Sequence, residues 1–219
     1  MIVIPGPLCL VKPDMDINTE RSTREIILPL VILALAGAVM LAITNHFTHE
    51  KIAANARESQ LHIIDTVMPL EHDNELYDDY IEISDQGYFG TPETITIFRA
   101  RKDDQPVGVV FMPVVAKGYN DRIRLITGIA YDGTLLAVLV LYHRETEGLG
   151  DGIDRNKSDW INIFSGLSLD NTPPENWSVK NDGGSFDQLS GATITSRGVI
   201  NAVRKTLEYY KTNRDKLYK

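Results

Sequence analysis

The longest apolar run of the chain covers residues 26–44 and contains no charged side chain. At roughly 1.5 Å per residue, a helix over this run would span the ~30 Å hydrocarbon core of a bilayer. The run is apolar on all sides, which argues against a buried core helix with one apolar face. The long polar lead and the lack of a clear A-x-A-like site argue against a cleaved signal peptide. The sequence therefore predicts a transmembrane helix over residues 26–44, preceded by a tail over residues 1–25.

Hydrophobic positions then recur at helical spacing until Pro69, at Ile52, Ala56, Leu61, Ile64 and Met68. This spacing predicts a helical stalk over residues 45–70, because apolar residues three to four positions apart share one helix face. The following segment, residues 71–92, is rich in Asp, Glu and Tyr and has no sustained period. It is interpreted as loop with short structure, at the start of a domain over residues 71–219.

The middle of the chain carries runs rich in β-branched residues, which predict strands at 94–100, 107–115, 124–131 and 135–142. Asp132-Gly133 is a strong turn signal, and no long helix separates the runs, so the sheet is expected to be antiparallel. A short helix is predicted over residues 160–167. A final helix is predicted over residues 197–213, with Val199, Ile200, Val203, Leu207 and Tyr210 on one face. Strands followed by helices on one face predict an α+β domain.

Composition narrows the functional classes. Of 219 residues, 43% are hydrophobic and 24% charged, which is typical of a folded protein. The net charge of −8 argues against nucleic-acid binding, since no segment concentrates Lys and Arg. Cys9 is the single cysteine, so the predicted domain has neither a disulfide nor a thiol metal ligand. His143 with nearby carboxylates matches no structural-zinc spacing, and no metal site is predicted.

Charges beside the apolar run indicate its orientation. Three cations precede the run within a short distance and two follow it, namely Lys12, Arg21 and Arg24 against Lys51 and Arg57. By the positive-inside rule this asymmetry favours a cytoplasmic tail and a domain on the outer side. Met15, just before a polar lead-in to the run, is an alternative start of the chain.

The sequence Ser190-Gly191-Ala192-Thr193 is the strongest chemical signal. Its glycine and alanine let the backbone turn tightly, and an amphipathic helix follows. The first N–H groups of a helix, together with its positive dipole end, stabilise an anionic group. The run therefore indicates a site for a phosphate beside Thr193. The alternative is an ordinary loop and helix cap, because Ser and Thr are common at helix starts.

Three stretches resemble one family. Residues 187–196 resemble the flavin-attachment motif of the FMN-binding subunits of the Rnf complex and of the sodium-pumping NADH:quinone reductase. In that family an acidic residue precedes a Ser/Thr-Gly-Ala-Thr run. Residues 143–151 resemble the family's Glu-Thr-Pro-Gly-Leu-Gly loop, with Glu147 in place of Pro, and residues 117–120 resemble its Gly-Tyr strand entry. The resemblance covers about residues 100–210.

The resemblance implies FMN held by a phosphoester to Thr193, after attack on FAD catalysed by a separate flavin transferase. It places Ser190, Gly191 and Ala192 near the phosphate. It also implies contacts to the isoalloxazine ring, from Glu145, Thr146, Leu149 and Gly150, with Gly148 and Gly150 allowing close approach. The hydroxyls of Thr195 and Ser196 are interpreted as helix caps rather than attachment sites. Asp187 either serves the transferase or caps the turn.

The implied protein is the G subunit of the Rnf complex, an inner-membrane assembly that couples electron transfer between ferredoxin and NAD to ion movement. Such a chain is an electron carrier that works with other membrane subunits, and it requires no general acid or base of its own. Three alternatives remain open. They are the C subunit of the sodium-pumping reductase, a membrane-anchored flavin module of another extracytoplasmic reductase, and a non-redox adhesion or scaffolding domain.

Overall fold

The computed structural model describes residues 19–89 and 91–218. Helix α1, Thr19–Val67, is the first element. The chain divides into two compact units, Met1–Ala56 and Arg57–Lys219, so α1 begins in the first unit and ends in the second. The expectations for Met15 and for most of the N-terminal tail lie outside the described residues.

One segment of α1, Arg24–Thr48, is long and apolar enough to cross a membrane, and it is the one such helix among the described residues. Its mean hydropathy is 2.9 and none of it is buried within the protein. Leu33 and Leu41, for example, are 70% and 72% exposed. A continuous apolar surface of this kind needs a lipid or protein surround. The segment contains residues 26–44, where the sequence predicts the transmembrane helix.

The second unit is built on one five-stranded sheet whose strands follow chain order, each antiparallel to the next. The strands are β1 Tyr80–Ile83, β2 Ile95–Lys102, β3 Gln105–Lys117, β4 Arg122–Ala130 and β5 Leu135–Tyr142. The predicted antiparallel sheet and the α+β class are thus confirmed. Strand β1 was missed because it has only four residues at the edge of the sheet, too few for an alternating pattern to stand out.

Two further helices, α2 Gln86–Phe89 and α3 Thr193–Leu217, and four short 3₁₀ helices complete the secondary structure of the residues that the structure describes. The 3₁₀ helices lie at Gly150–Ile153, Trp160–Phe164, Pro174–Asn176 and Lys180–Asp182. One of them falls within the short helix predicted over residues 160–167. Helix α3 begins four residues before the predicted start at Arg197. The earlier start places Thr193 in the first turn of the helix, at the site described below.

The sheet has an apolar core on each face. On one face α3 contributes Val199, Val203 and Leu207 to a cluster that includes Phe111 and Leu125. This arrangement confirms the expected apolar face of the final helix. At roughly 25 cal/mol per Å² of apolar area, burial of such side chains is the main stabilising contribution to the fold.

On the opposite face the last turns of α1 pack on the sheet. Ile64 and Val67 are fully buried in a cluster with Phe98, Val110 and Ile126. A Cβ atom at Gly128 would overlap the carbonyl oxygen of Val67, so glycine allows the helix end to approach the strand. The sheet therefore lies between two helical layers, and its loops beyond β3 and β5 remain free to form a site.

Candidate functional site

Three separate segments of the second unit meet at one cleft. They are the turn after β3, the loop after β5 and the first turn of α3. The cleft has a volume of about 390 Å³, within the usual range of small-molecule sites. We call it the Thr193 cleft. Its lining residues are Tyr119, Glu145, Thr146, Leu149, Gly150, Gly191, Ala192, Thr193, Ile194 and Thr195.

Most of the flavin-contact residues named from the sequence line this cleft, and Ser190 and Gly148 are the two that do not. Ser190 is exposed and lies beside a neighbouring groove with Gly148, Lys157 and Leu189. The structure adds Tyr119, Ile194 and Thr195 to the lining. Tyr119 belongs to the Gly-Tyr stretch that carried part of the family resemblance, so a signal for it was present in the sequence. The cleft thus brings together Tyr119 and Thr193, which are 74 positions apart in the chain.

Thr193 is the first residue of α3, not a residue in a loop before the helix. Gly191 has φ of +74°, a conformation that favours glycine, and it turns the chain into the helix. Ala192 occupies the N-cap position and makes no side-chain hydrogen bond there. Because the first N–H groups of a helix have no partner within it, an uncapped start of this kind can hold an anion. Thr193 is partly exposed in the cleft beside those groups.

The neighbouring hydroxyls are already occupied. Thr195 Oγ1 donates a hydrogen bond to Glu145 Oε2 at 2.5 Å, and Ser196 Oγ donates to the carbonyl of Ala192 at 3.1 Å. Both residues are 0% exposed. The expectation that they cap the helix is wrong, because the helix begins before them and both lie inside its first turn. Their burial also removes them as accessible acceptors for a large substrate.

Glu145 is buried at 8% exposure, and both its oxygens are used by protein groups. Its Oε1 accepts hydrogen bonds from the backbone N–H of Tyr119 at 3.0 Å and of Asn120 at 3.4 Å. Its Oε2 accepts the bond from Thr195. The sequence resemblance placed Glu145 at the flavin ring, whereas this geometry turns its carboxylate toward the turn after β3 and toward α3.

Gly148 and Gly150 are required for different reasons. Gly148 has φ of +74° in open space, so its backbone conformation is what favours glycine. A Cβ atom at Gly150 would lie 2.7 Å from Glu145 Oε2 and 2.9 Å from Glu145 Cβ. Gly150 thus makes room for the glutamate. The expected close approach to a ring is not needed to explain either glycine.

Asp187, the acidic residue that precedes the motif, lies outside the Thr193 cleft. Its carboxylate pairs with Lys180 Nζ at 2.7 Å, and its backbone carbonyl accepts a hydrogen bond from Trp160 Nε1 at 2.6 Å. The carboxylate is exposed, so this ion pair adds at most about 1 kcal/mol to stability. The sequence left two roles open for Asp187, service to the transferase and capping of the turn. The ion pair of its carboxylate with Lys180 is not a cap of the turn.

A larger cavity of about 510 Å³ adjoins the cleft and shares Tyr119 with it. It lies between the end of β3, α2 and the middle of α3, and it is lined in part by Lys117, Arg122 and Lys205. The larger volume does not by itself make it the reaction site, because the accessible hydroxyl at a helix start is in the Thr193 cleft. The cavity and the Thr193 cleft share Tyr119 and together form an extended space for a ligand.

Comparison with known families supports this location. A model of the FMN-binding domain matches residues 118–208, which contain all three segments of the cleft. A model of the RnfG N-terminal region matches residues 21–67, which contain the apolar segment of α1.

Similar proteins cover nearly the whole chain. The G subunit of the ion-translocating oxidoreductase complex of Pseudomonas aeruginosa is 36% identical over 204 residues, covering 93% of this chain and 95% of that protein. The corresponding protein of Pseudoalteromonas atlantica is 37% identical over 190 residues, covering 86% of this chain and 88% of that protein. The crystal structure of Shewanella oneidensis NqrC matches 66% of this chain and 74% of that chain, at 24% identity and a TM-score of 0.45.

Proposed function

The chain belongs to the G subunits of ion-translocating oxidoreductase complexes, and from this membership we propose that it relays electrons through FMN attached covalently to Thr193. Membership itself makes the chain an FMN-binding, electron-transfer subunit of a membrane complex that contains other subunits. The covalent bond and the residue that forms it are the new elements of the proposal.

The observation that carries the proposal is the difference in accessibility among the hydroxyls. Thr195 and Ser196 are fully buried and hydrogen-bonded, whereas Thr193 is partly exposed at an uncapped helix start. Thr146 is the other exposed threonine of the cleft, but it lies in the loop after β5 and not in the first turn of α3. The phosphate of FMN would be stabilised by the first N–H groups of α3 next to Thr193.

Attachment requires a separate transferase that uses FAD. Thr193 Oγ forms a bond to the phosphorus on the flavin side of FAD, and the bond between that phosphorus and the AMP oxygen breaks. AMP leaves, and the hydroxyl proton passes to the transferase. Once bound, FMN supplies reversible one- and two-electron chemistry. The residues of this chain hold it: the start of α3 binds the phosphate, and the exposed apolar side chains of Tyr119, Leu149 and Ile194 offer surface to the ring.

Intact-mass analysis after co-expression with an FAD-dependent flavin transferase tests the acceptor. Thr193→Ala should remove the flavin mass increment completely, while the matched Thr146→Ala variant should retain it. Fluorescence of the denatured protein band gives an independent readout. If Thr193→Ala keeps the increment and Thr146→Ala or Thr195→Ala loses it, Thr193 is not the acceptor.

The remaining assignments concern topology. We propose a cytoplasmic tail over residues 1–25, a membrane span over 26–44, a stalk over 45–70 and a domain over 71–219 on the periplasmic side. The three-to-two excess of Lys and Arg before the span supports this orientation. Protease added to intact spheroplasts should digest the domain. Protection in spheroplasts together with digestion in inverted vesicles would reverse the orientation.

The redox partners follow from the family. We propose that the other membrane subunits pass electrons between ferredoxin and NAD by way of this flavin, coupled to ion movement. A tethered cofactor keeps a high local concentration near neighbouring redox centres without being lost to the medium. An affinity-tagged chain purified from its native membrane in mild detergent should bring down the other subunits. Recovery of a lone flavoprotein would contradict this assignment.

A further inference from the structure

Glu145 joins the three segments of the Thr193 cleft through one buried carboxylate. It belongs to the loop after β5, it accepts backbone hydrogen bonds from the turn after β3, and it accepts the hydroxyl of Thr195 in α3. The adjacent cation, Arg144, pairs with a different carboxylate, since its Nε lies 3.9 Å from Asp121 Oδ2. A carboxylate buried among neutral donors is stabilised only while those donors stay in place, so the three segments depend on one another.

The space around this carboxylate is shaped for it by two glycines. A Cβ atom at Gly118 would overlap Glu145 Oε1, and a Cβ atom at Gly150 would lie 2.7 Å from Oε2. The glycines come from two of the three segments, and a Cβ atom would meet the carboxylate at either position, although at Gly118 it would also overlap the carbonyl oxygen of Asp121. Asn120 adds a further link between the turn after β3 and the loop after β5, because its Nδ2 donates to the carbonyl of Arg144 at 2.9 Å.

The bond to Thr195 also fixes the direction of Thr193. Both residues lie in the first turn of α3, where side-chain directions are set by the rotation of the helix about its axis. A turn held at Thr195 therefore fixes the direction of the Thr193 Cα–Cβ bond relative to the cleft, and with it the few positions that the hydroxyl can take. The first turn has no side-chain cap, so loss of this bond would leave its start held by the hydrogen bonds of Ser196 with Ala192 and Leu189.

We propose that Glu145 is a positioning residue for flavin attachment, which acts through Thr195 to hold the Thr193 hydroxyl and the first N–H groups of α3 in reactive alignment. The inference rests on the proposed attachment at Thr193. Glu145 is not assigned as the base that removes the Thr193 proton, because its oxygens are occupied by Tyr119, Asn120 and Thr195. Misplacement of a reacting group by about 1 Å costs on the order of 100-fold in rate, so loss of this alignment should be measurable.

The test uses the full-length chain in detergent, produced without the transferase and then incubated with purified transferase and FAD. Glu145→Gln and Thr195→Val should lower kcat for attachment by roughly 10- to 100-fold with KM for the protein nearly unchanged. Thr195→Ser, which keeps the hydroxyl, should restore most of the rate. Glu147→Gln is the matched control, because Glu147 is an exposed carboxylate two residues away in the same loop.

Hydrogen exchange of residues 191–196 provides a readout independent of the transferase. Exchange should quicken in Glu145→Gln and Thr195→Val but not in Glu147→Gln, while Trp fluorescence confirms that the domain is folded. Wild-type kcat in Glu145→Gln, or a defect in Thr195→Val that Thr195→Ser does not relieve, would overturn the inference. If Glu145→Gln does not fold, the two Thr195 variants decide.

Failure of this inference differs from failure of the attachment site. If Thr193→Ala retains flavin, the proposed function fails regardless of Glu145. If Thr193→Ala loses flavin while Glu145→Gln reacts at the wild-type rate, Thr193 stands and only the positioning role is lost.

Discussion

The two ends of α3 are held by opposite means. At the C-terminal end, Arg99 Nη1 donates to the carbonyl of Leu217 and Arg101 Nη2 donates to that of Tyr218, each at 3.2 Å. Both arginines also form ion pairs with Asp79. Cations at this end complement the negative end of the helix dipole and satisfy carbonyls that have no partner within the helix.

The N-terminal end has no such clamp. Its start is uncapped, and the nearby carboxylate of Glu145 is bound to a hydroxyl and to backbone N–H groups rather than to a cation. The first N–H groups of α3 beside Thr193 have no side-chain cap at the N-cap position. The difference is that the C-terminal end of α3 is tied to the sheet by side chains, whereas the N-terminal end, where we propose attachment, has no side-chain cap. Substitutions at the two ends should accordingly separate stability from flavin loading.

Among substitutions that leave the Thr193 hydroxyl in place, the largest expected effect on loading comes from Gly150→Val. Its Cβ would meet Glu145 Oε2, and the branched side chain would displace the carboxylate that holds the N-terminal end. We expect attachment to slow by roughly 100-fold, following the cost of misalignment by about 1 Å. Intact-mass measurement over a time course with transferase and FAD gives the rate. Unchanged loading would mean that Gly150 and Glu145 do not support the attachment site.

The largest expected effect on stability comes from Asp79→Ala at the other end. Removal of this carboxylate leaves two arginines without their anionic partner, and all three side chains are only 17–22% exposed. Partial solvent access reduces the cost below that of a fully buried pair, so we expect a loss of about 2 kcal/mol in the free energy of unfolding. Urea unfolding followed by Trp fluorescence measures it, since Trp160 and Trp177 both lie in the second unit.

Asp78→Ala is the matched control for that variant. Asp78 is 69% exposed and lies 3.6 Å from Arg57, so its loss should change the free energy of unfolding by under about 1 kcal/mol. Flavin loading of folded Asp79→Ala should equal that of the wild type. A loading defect there would show that the C-terminal clamp also controls the Thr193 cleft, and the contrast between the two ends would fail.

A smaller effect is expected from Gly148→Ala, in the same loop as Gly150. A Cβ atom at Gly148 would meet open space, but the positive φ disfavours alanine by about 1 kcal/mol. We expect a corresponding loss of unfolding free energy with loading nearly unchanged. A loading defect as large as that of Gly150→Val would indicate that the conformation of the loop, rather than the position of Glu145, controls attachment.

The smallest effect is confined to alkaline pH and sharpens the description of the C-terminal end. Burial raises the pKa of Tyr210, whose hydroxyl donates to the carbonyl of Tyr131 at 3.0 Å. Because the folded pKa lies above the unfolded value near 10, this stability is fully present below about pH 10 and is lost as pH rises further. Unfolding free energies at pH 8 and above pH 10 should show the decline. Tyr210→Phe should weaken it, and an equal decline in that variant would contradict the assignment.

Local pattern was enough for much of the fold. The apolar run at 26–44, the four longer strands and the apolar face of α3 each follow from side-chain periodicity, which short stretches of sequence contain in full. The Ser-Gly-Ala-Thr run likewise identified the start of α3 as the proposed attachment site, because its residues are contiguous. Strand β1 was not predicted from the sequence, because four edge residues gain their structure from pairing with β2 rather than from their own pattern.

Only the tertiary structure decided which hydroxyl is free and what Glu145 does. Thr195 looks like a helix cap in the sequence, yet it is fully buried against Glu145, a residue 50 positions away. Accessibility and hydrogen bonding of this kind depend on how β3, β5 and α3 pack together. A short stretch of sequence does not contain that information. The sequence by itself determined which contiguous stretches carry the hydroxyls, glycines and carboxylates that match an FMN-binding domain. The packing of three distant segments determined which of those residues line the Thr193 cleft and which are buried.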